Sequence, residues 1–314
     1  MVAAPAKVNL TLEVLGRRRD GFHELRSFFA VIDLADRVRV SVARELKVRV
    51  VPDPGAGPGE EIAGRAVRAF AAAAGREPRA RVSIRKRIPV AAGLGGGSSD
   101  AGATLRALAT LWRVEPAPAA VAAALGSDVP FFAAGAPFAF VSGRGERVEP
   151  LPPPAADLWI ALVLPQRRLR TASVFALHST SARSGEEHTA RLVRAFRDGC
   201  VYPDVVRASS HNDLLPAVER LHPDIAASRA RAAAIGIPLG LSGSGPTLFA
   251  IADDRTHAIR IARALRRLDM RARVHRLGVP ASERPSALAL GFGDGSEGRY
   301  DGAPGGPEGR QEHR

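Results

Sequence analysis

Pro89-Val90-Ala91-Ala92-Gly93-Leu94-Gly95-Gly96-Gly97-Ser98-Ser99-Asp100-Ala101-Gly102-Ala103-Thr104-Leu105-Arg106-Ala107-Leu108 is a glycine-rich loop that passes directly into a helix. Gly93, Gly95, Gly96 and Gly97 admit positive φ and close approach of the backbone to a ligand, and Ser98, Ser99 and Asp100 are predicted as N-cap and first-turn residues. Ala101, Leu105, Leu108 and Trp112 recur at three- and four-residue steps and mark the helix. The unpaired N–H groups of its first turn and the positive end of its dipole make an anion cradle, for which phosphate is the natural guest. One Gly-x-Gly alone reads as a tight turn; three consecutive glycines followed by two serines point to a ligand. Neither Gly-x-x-x-x-Gly-Lys-Ser/Thr nor the Val-Ala-Ile-Lys and His-Arg-Asp motifs of protein kinases occur, so the loop belongs to another class of nucleotide binder.

Upstream, Lys7 to Val14 alternates strictly, with Val8, Leu10, Leu12 and Val14 on one face and Lys7, Asn9, Thr11 and Glu13 on the other, which predicts a half-buried strand. On residues alone its polar face reads as solvent-exposed. Strands are predicted at 38–42 and 46–50, a proline-glycine loop at 52–59, and an amphipathic helix through Ile62, Ala66, Val67 and Phe70. Val82 and Ile84 form a strand that delivers Lys86 to the lip of the glycine loop. Downstream come a helix at 116–125, the turn Gly126-Ser127-Asp128-Val129-Pro130 and a strand at 137–141. Residues 150–154 are the clearest break in composition. Beyond them lie an apolar strand at 158–164, helices at 190–196, 214–221, 223–234 and 255–268, a second glycine-rich turn at 239–245, and strands at 247–252 and 272–279. Strands and helices intermix in the manner of an α+β protein. From Gly291 to Arg314 the chain is glycine, proline and charge, which predicts disorder.

A chain of 314 residues with 46% hydrophobic content can bury a large core. No apolar run approaches a membrane span, and the N-terminus lacks the organisation of a signal peptide. Cys200 is the only cysteine, which excludes an internal disulfide and fits a reducing cytoplasm. The formal charge of +13 raises nucleic acid as a partner, but the arginines are scattered and only two Trp and two Tyr are available for stacking. An arginine-rich surface that attracts polyanionic small molecules is the better reading. Of 45 basic residues three are lysine, Lys7, Lys47 and Lys86, and a lysine kept among arginines suggests a site that needs a compact point charge.

The stretch from Pro89 to Ala103 resembles the central motif of the GHMP kinases, the superfamily of galactokinase, homoserine kinase and mevalonate kinase. Five further blocks fall in the family's order over about residues 3–280: Pro5-Ala6-Lys7-Val8-Asn9-Leu10, Arg19-Asp20-Gly21-Phe22-His23-Glu24-Leu25, Gly126-Ser127-Asp128-Val129-Pro130-Phe131-Phe132, Asn212-Asp213-Leu214 and Leu241-Ser242-Gly243-Ser244-Gly245-Pro246-Thr247. The resemblance implies an α+β, GHMP kinase-like two-domain fold. Its parts would be an N-terminal ribosomal-protein-S5-like α/β domain over 1–150 and a C-terminal ferredoxin-like α+β domain over 151–283, followed by a disordered tail over 284–314.

By the same resemblance, Lys7 and Asp128 are the catalytic pair, with Asp128 as the base that accepts the hydroxyl proton and Lys7 as the cation stabilising the transferring group. Lys86, Pro89, Val90, Ala91, Ala92, Gly93, Leu94, Gly95, Gly96, Gly97, Ser98 and Ser99 would bind ATP. Asn9, Phe22, His23 and Thr171 would bind the acceptor, with Phe22 and His23 at its cytosine end. Within the superfamily the match is to kinases whose acceptor is an alcohol carrying a cytidine diphosphate moiety, on the non-mevalonate route to isoprenoid precursors. Leu169 to Phe175 resembles a family segment but departs from it at Arg170 and Ser173. Mg²⁺ is implied as the ion on the phosphates, with Ser99 beside it, although the sequence holds no carboxylate cluster that would cage a metal. The expected protein is a cytoplasmic monomer or homodimer that binds neither nucleic acid nor membrane. Another small-molecule kinase of the superfamily would keep the glycine loop and change the blocks around His23 and Thr171. A non-catalytic sensor of the same fold would lose Lys7 or Asp128, and both are present.

Overall fold

The computed structural model describes residues 1–52, 58–164, 169–178 and 187–279; the predicted tail over 284–314 lies outside them. In chain order the elements are β1 (Val2–Arg17), β2 (His23–Val42), β3 (Lys47–Val51), α1 (Pro58–Ala73), β4 (Ala80–Arg85), α2 (Gly96–Trp112), α3 (Ala119–Leu125), α4 (Val129–Ala134), β5 (Phe138–Gly143), β6 (Arg147–Leu151) and β7 (Trp159–Val163). There follow α5 (Thr171–Leu177), α6 (His188–Arg197), α7 (Pro203–Ser209), β8 (His211–Asn212), α8 (Leu215–Leu221), α9 (Pro223–Ala233), β9 (Gly240–Leu241), β10 (Leu248–Ala252), α10 (Arg255–Arg267) and β11 (Ala272–Arg276).

The first sheet is organised around β2. One edge of this 20-residue strand pairs antiparallel with β1, while its other edge pairs with β5 through Leu25–Ala30 and with β4 through Arg37–Val42. Only its last third, Val38-Val40-Val42, shows a strand period in the sequence. Phe28 to Ile32 are buried on both faces, so apolar residues run without alternation there. β3 and β6 close the two ends, and β8 joins the far side of β1 in parallel. β6 crosses position 150 and stays in this sheet; β7 begins the second, four-stranded sheet, ordered β11-β7-β10-β9. An isolated bridge between Ile32 and Leu277 links the two sheets.

The core does not divide at that switch. Leu10, Phe28 and Phe138 pack in one cluster with Ile160, Leu162, Phe196 and Phe249 from the second half, and the described residues belong to one compact unit. A second cluster lies between α8, α9, α10 and the four-stranded sheet, and a third between α1, α2 and α3 and the strands they cover. No helix among the described residues is long and apolar enough to cross a membrane.

Two readings of β1 are corrected. Its register shifts between Pro5 and Lys7, between Asn9 and Thr11, and between Val14 and Gly16, so the strict alternation in the sequence is not a regular ladder. Nor is its polar face solvated: Lys7, Asn9, Thr11 and Glu13 are all buried, each with a polar partner. The short helices α4, α5 and α7 have six or seven residues each, too few turns for a helical period to stand out.

Candidate active site

The glycine loop leaves β4 at Arg85 and enters α2 at Gly96. Its helix starts earlier than expected: the N-cap is Gly95, with φ 69°, and no side chain caps the helix, so Ser98, Ser99 and Asp100 lie inside it. Positive φ occurs at Ala91, Gly93 and Gly95, and Gly96 and Gly97 are already helical. The first intrahelical bond runs from Ser99 N–H to Gly95 O at 2.8 Å. Gly96, Gly97 and Ser98 therefore point their N–H groups out of the helix end, the arrangement that binds phosphate.

The second glycine turn holds this loop in place. A Cβ on Gly93 would lie 2.5 Å from Ser242 O and 2.8 Å from Gly245 O, so no larger residue fits there. Ser242 Oγ donates to Gly93 O at 3.1 Å, and Lys7 N–H donates to Leu94 O at 3.0 Å. Asn212, from the Asn-Asp-Leu block, ties the turn down by donating from Nδ2 to Leu241 O and Gly243 O, both at 2.9 Å. Three sequence blocks from both halves of the chain thus meet at one loop.

β1 brings Lys7 beneath the loop. Its Nζ lies 2.5 Å from Asn9 Oδ1, 3.5 Å from Asp128 Oδ2 and 4.5 Å from the centre of the Phe29 ring. Asp128 is the N-cap residue of α4, yet its side chain makes no capping bond and is 29% exposed, which leaves the carboxylate directed at the cavity. An ammonium and a carboxylate beside a helix N-terminus are the parts that a phosphoryl transfer with a hydroxyl acceptor requires.

Lys7, Asn9, Asp128, Lys86, Pro89–Ser98, Phe22, His23 and Thr171 all line one cavity of about 1180 Å³. Ser99 does not: it is fully buried and donates its hydroxyl to Pro5 O at 2.6 Å, because the early helix start turns it inward. In the same cavity the His23 and Phe175 rings are 4.9 Å apart at 30°, and the Arg144 guanidinium lies 5.0 Å from the centre of the Phe22 ring. Burial, then His178 and Arg17, hold the His23 imidazole below the ordinary histidine range. A neutral ring has one donor and one acceptor nitrogen. Thr171 Oγ1 is 2.9 Å from Ser244 Oγ. Phe175, Arg144 and Ser27 line the cavity without having been singled out as site residues. Phe175 alone had a signal, since it ends the segment that resembles the family.

Lys86 has a second set of neighbours. Its Nζ lies 2.5 Å from Asp36 Oδ2 and 2.6 Å from Asp100 Oδ2, both fully buried, and Asp36 Oδ1 also accepts from the Arg87 and Ile88 N–H groups. Burial pushes Asp100 up to about 7, with Lys86 opposing and Asp36 adding to the shift. For Lys86 burial acts to lower the value, but the two carboxylates outweigh it and the pKa is raised. The lysine thus ties the entry of the loop to the first turns of α2; of the acids that hold it, Asp100 is in the motif but reads as a first-turn residue, and Asp36 carries no signal of its own in the sequence.

Among the described residues, no group of three or more His, Cys, Asp or Glu could hold a metal ion. Among the described residues, Asp128 is the only carboxylate that lines the cavity. That donor set suits a magnesium ion carried mainly by phosphate oxygens and water, and does not suit a protein cage.

Comparison with known proteins agrees with this geometry. Residues 61–136 match the GHMP kinases N terminal domain and residues 204–269 the GHMP kinases C terminal domain. The chain is 40% identical over 276 residues to a 4-diphosphocytidyl-2-C-methyl-D-erythritol kinase of Moorella thermoacetica, covering 83% of this chain and 93% of that one. It is 36% identical over 280 residues to its namesake from Shouchella clausii, covering 84% and 90%. A crystal structure of 4-(cytidine 5'-diphospho)-2C-methyl-D-erythritol kinase superimposes with a TM-score of 0.72 at 36% identity, over 88% of this chain and 98% of that one. Homoserine kinase from Cytophaga hutchinsonii, at 18% identity and a TM-score of 0.65 over 89% and 94%, shares the fold. With both domain models matched and relatives of this identity aligned over most of their length, the chain belongs to the GHMP kinases and, among them, to the 4-diphosphocytidyl-2-C-methyl-D-erythritol kinase family.

Proposed function

We infer that the chain transfers the γ-phosphoryl group of ATP to the 2-hydroxyl of 4-diphosphocytidyl-2-C-methyl-D-erythritol, a step on the non-mevalonate route to isoprenoid precursors. The observation that carries this reading is the one cavity whose lining includes the glycine loop, the Lys7–Asp128 pair, and Phe22, His23 and Phe175. In this reading the N–H groups of Gly96, Gly97 and Ser98 hold the nucleotide phosphates. Asp128 accepts the proton of the attacking hydroxyl, and that oxygen displaces ADP from the γ-phosphorus. Lys7 stabilises the negative charge that spreads over the transferring group. Magnesium, when bound, neutralises phosphate charge, with Asp128 as the protein carboxylate at hand. The aromatic faces of Phe22 and Phe175 suit a cytosine ring, and the neutral His23 offers a donor and an acceptor to its edge. The cytoplasm supplies ATP and reducing conditions for the lone Cys200, and we place the enzyme there. The boundary between the two halves is proposed near residue 150.

The test is ATP turnover with the cytidine-bearing alcohol in parallel with mevalonate and homoserine. Turnover with the first alone is the expected result. Rapid phosphorylation of either of the others with the cytidine compound ignored would refute the substrate and leave the kinase.

A further inference from the structure

The ladder between β1 and β2 pairs Asn9 with Phe29 and then Thr11 with Phe28, so Leu10 is an extra residue in a β-bulge beside the Lys7–Asp128 pair. Side-chain hydroxyls serve the backbone groups around the bulge. The Phe28 N–H donates to Thr11 Oγ1 at 3.0 Å, and the Thr11 carbonyl accepts from Ser27 Oγ at 2.5 Å. Thr11 Oγ1 is also held from α6, 2.8 Å from Thr189 Oγ1.

The proton count at Ser27 has a consequence for Lys7. A serine hydroxyl has one proton, and here it goes to the Thr11 carbonyl, so toward Asn9 the same oxygen can only accept. Asn9 must present Nδ2 to it, at 2.9 Å, which leaves Oδ1 for the Lys7 ammonium at 2.5 Å. The reversed amide would turn N–H donors toward the ammonium and a carbonyl toward a hydroxyl with no proton to give. The backbone of Asn9 is fixed as well, its N–H donating to Ser242 Oγ at 3.3 Å. Lys7, Asn9 and Ser27 are 4%, 2% and 2% exposed, which leaves little access for water to take over a lost partner.

We propose that Ser27 is a positioning residue for the phosphoryl transfer, acting through the Asn9 amide to hold the Lys7 ammonium against Asp128. This rests on the roles given to Lys7 and Asp128 above. Ser27 lines the cavity but acts on the reaction through its neighbour, so its removal should appear in kcat rather than in KM.

The experiment is steady-state kinetics of Ser27→Ala and Ser27→Thr in the full chain, each also made in an Asn9→Ala background, with transfer of labelled phosphate from ATP as the readout. Ser27→Ala should lower kcat about tenfold, the worth of one hydrogen bond expressed in the transition state, with KM for ATP and for the cytidine-bearing alcohol within about twofold of wild type. Ser27→Thr retains the hydroxyl and should recover most of the loss. In the Asn9→Ala background no amide is left to orient, and adding Ser27→Ala should change kcat by less than about twofold. Wild-type kcat in Ser27→Ala, or an equal loss in both backgrounds, would overturn the proposal, since a merely structural role costs the same with or without Asn9. If Ser27→Ala fails to fold, Ser27→Cys, of similar size and weak in hydrogen bonding, carries the same comparison. Asp128→Asn separates this from the parent reading: full activity there would remove the role of the Lys7–Asp128 pair itself, whereas an inactive Asp128→Asn beside a fully active Ser27→Ala removes only the role of Ser27.

Discussion

Gly102 is inside α2, and by helix propensity alone an alanine there should stabilise the helix by about 1 kcal/mol. The tertiary structure reverses the sign. A Cβ at 102 would lie 2.6 Å from Phe132 Cβ, 2.7 Å from Phe132 C and 2.8 Å from Ala133 N, all in α4. Two of these are backbone atoms and the third is fixed to the backbone, so no rotamer change relieves the contact. Restoring ordinary carbon contacts of about 3.5 Å requires α2 and α4 to separate by roughly 0.7–0.9 Å. Overpacking of this kind costs about 1–3 kcal/mol, which offsets the propensity gain and leaves a net loss of up to about 2 kcal/mol. For a chain of this size that is a fall in Tm of up to roughly 3 °C. Asp128 is the N-cap residue of α4 and shifts with it relative to Lys7, which is already 3.5 Å distant. A misplacement near 1 Å is enough to cost up to about 10²-fold in rate. Gly102→Ala should therefore lower kcat by about 10–100-fold while KM for ATP changes little, because the N–H groups of Gly96 to Ser98 stay in place. Scanning calorimetry and steady-state kinetics on the same preparation decide it. A raised Tm with wild-type kcat would mean that α2 and α4 do not meet as closely as described, and the reasoning fails.

Asp128→Asn should leave ATP affinity in calorimetry nearly intact and reduce kcat by roughly 10²–10⁴, the scale of a positioned base; an unimpaired kcat would refute that role. His23→Ala should cost about 1–3 kcal/mol in kcat/KM for the cytidine-bearing alcohol with ATP affinity unchanged, and CMP should compete in the wild type but not in the variant. Asp100, raised from 3.8 to about 7 in the fold, binds its proton more tightly folded than unfolded. The stability it contributes is complete below its unfolded pKa and is lost as pH rises through about 7. Asp100→Asn cannot ionise, so its Tm relative to wild type should climb from pH 5 to about pH 7 and level off by pH 8. A difference constant over that range would show that Asp100 is already ionised at pH 5.

Much of the site was legible because its parts are backbone devices with compositional signatures. Three glycines and two serines before a helical period mark an anion cradle, and Gly243 and Gly245 mark the turn that holds it. Asp128 was legible only through the resemblance, since an aspartate in a Gly-Ser-Asp turn ordinarily caps. The placement of Ser99 was misread because the helix begins at Gly96, and that start depends on Gly95 taking a left-handed φ of 69°, which glycine permits but does not require.

What the sequence determined by itself is the order of the longer elements and the local chemistry: α+β content, a phosphate loop between β4 and α2, and the residues able to handle charge. These follow from short-range periodicity and from what each backbone position tolerates. The tertiary structure alone decided that the polar face of β1 is buried, that Lys86 is shared between Asp36 and Asp100, and that beside the bulge at Leu10 Ser27 meets Asn9, which in turn meets Lys7. The reason is distance along the chain. Asp36 and Lys86 are 50 residues apart, and Asn9 meets Ser242 across 233, so no local pattern encodes either pairing; each exists only once the sheets have brought the partners out of water, where an unmatched charge or donor is too costly to leave alone.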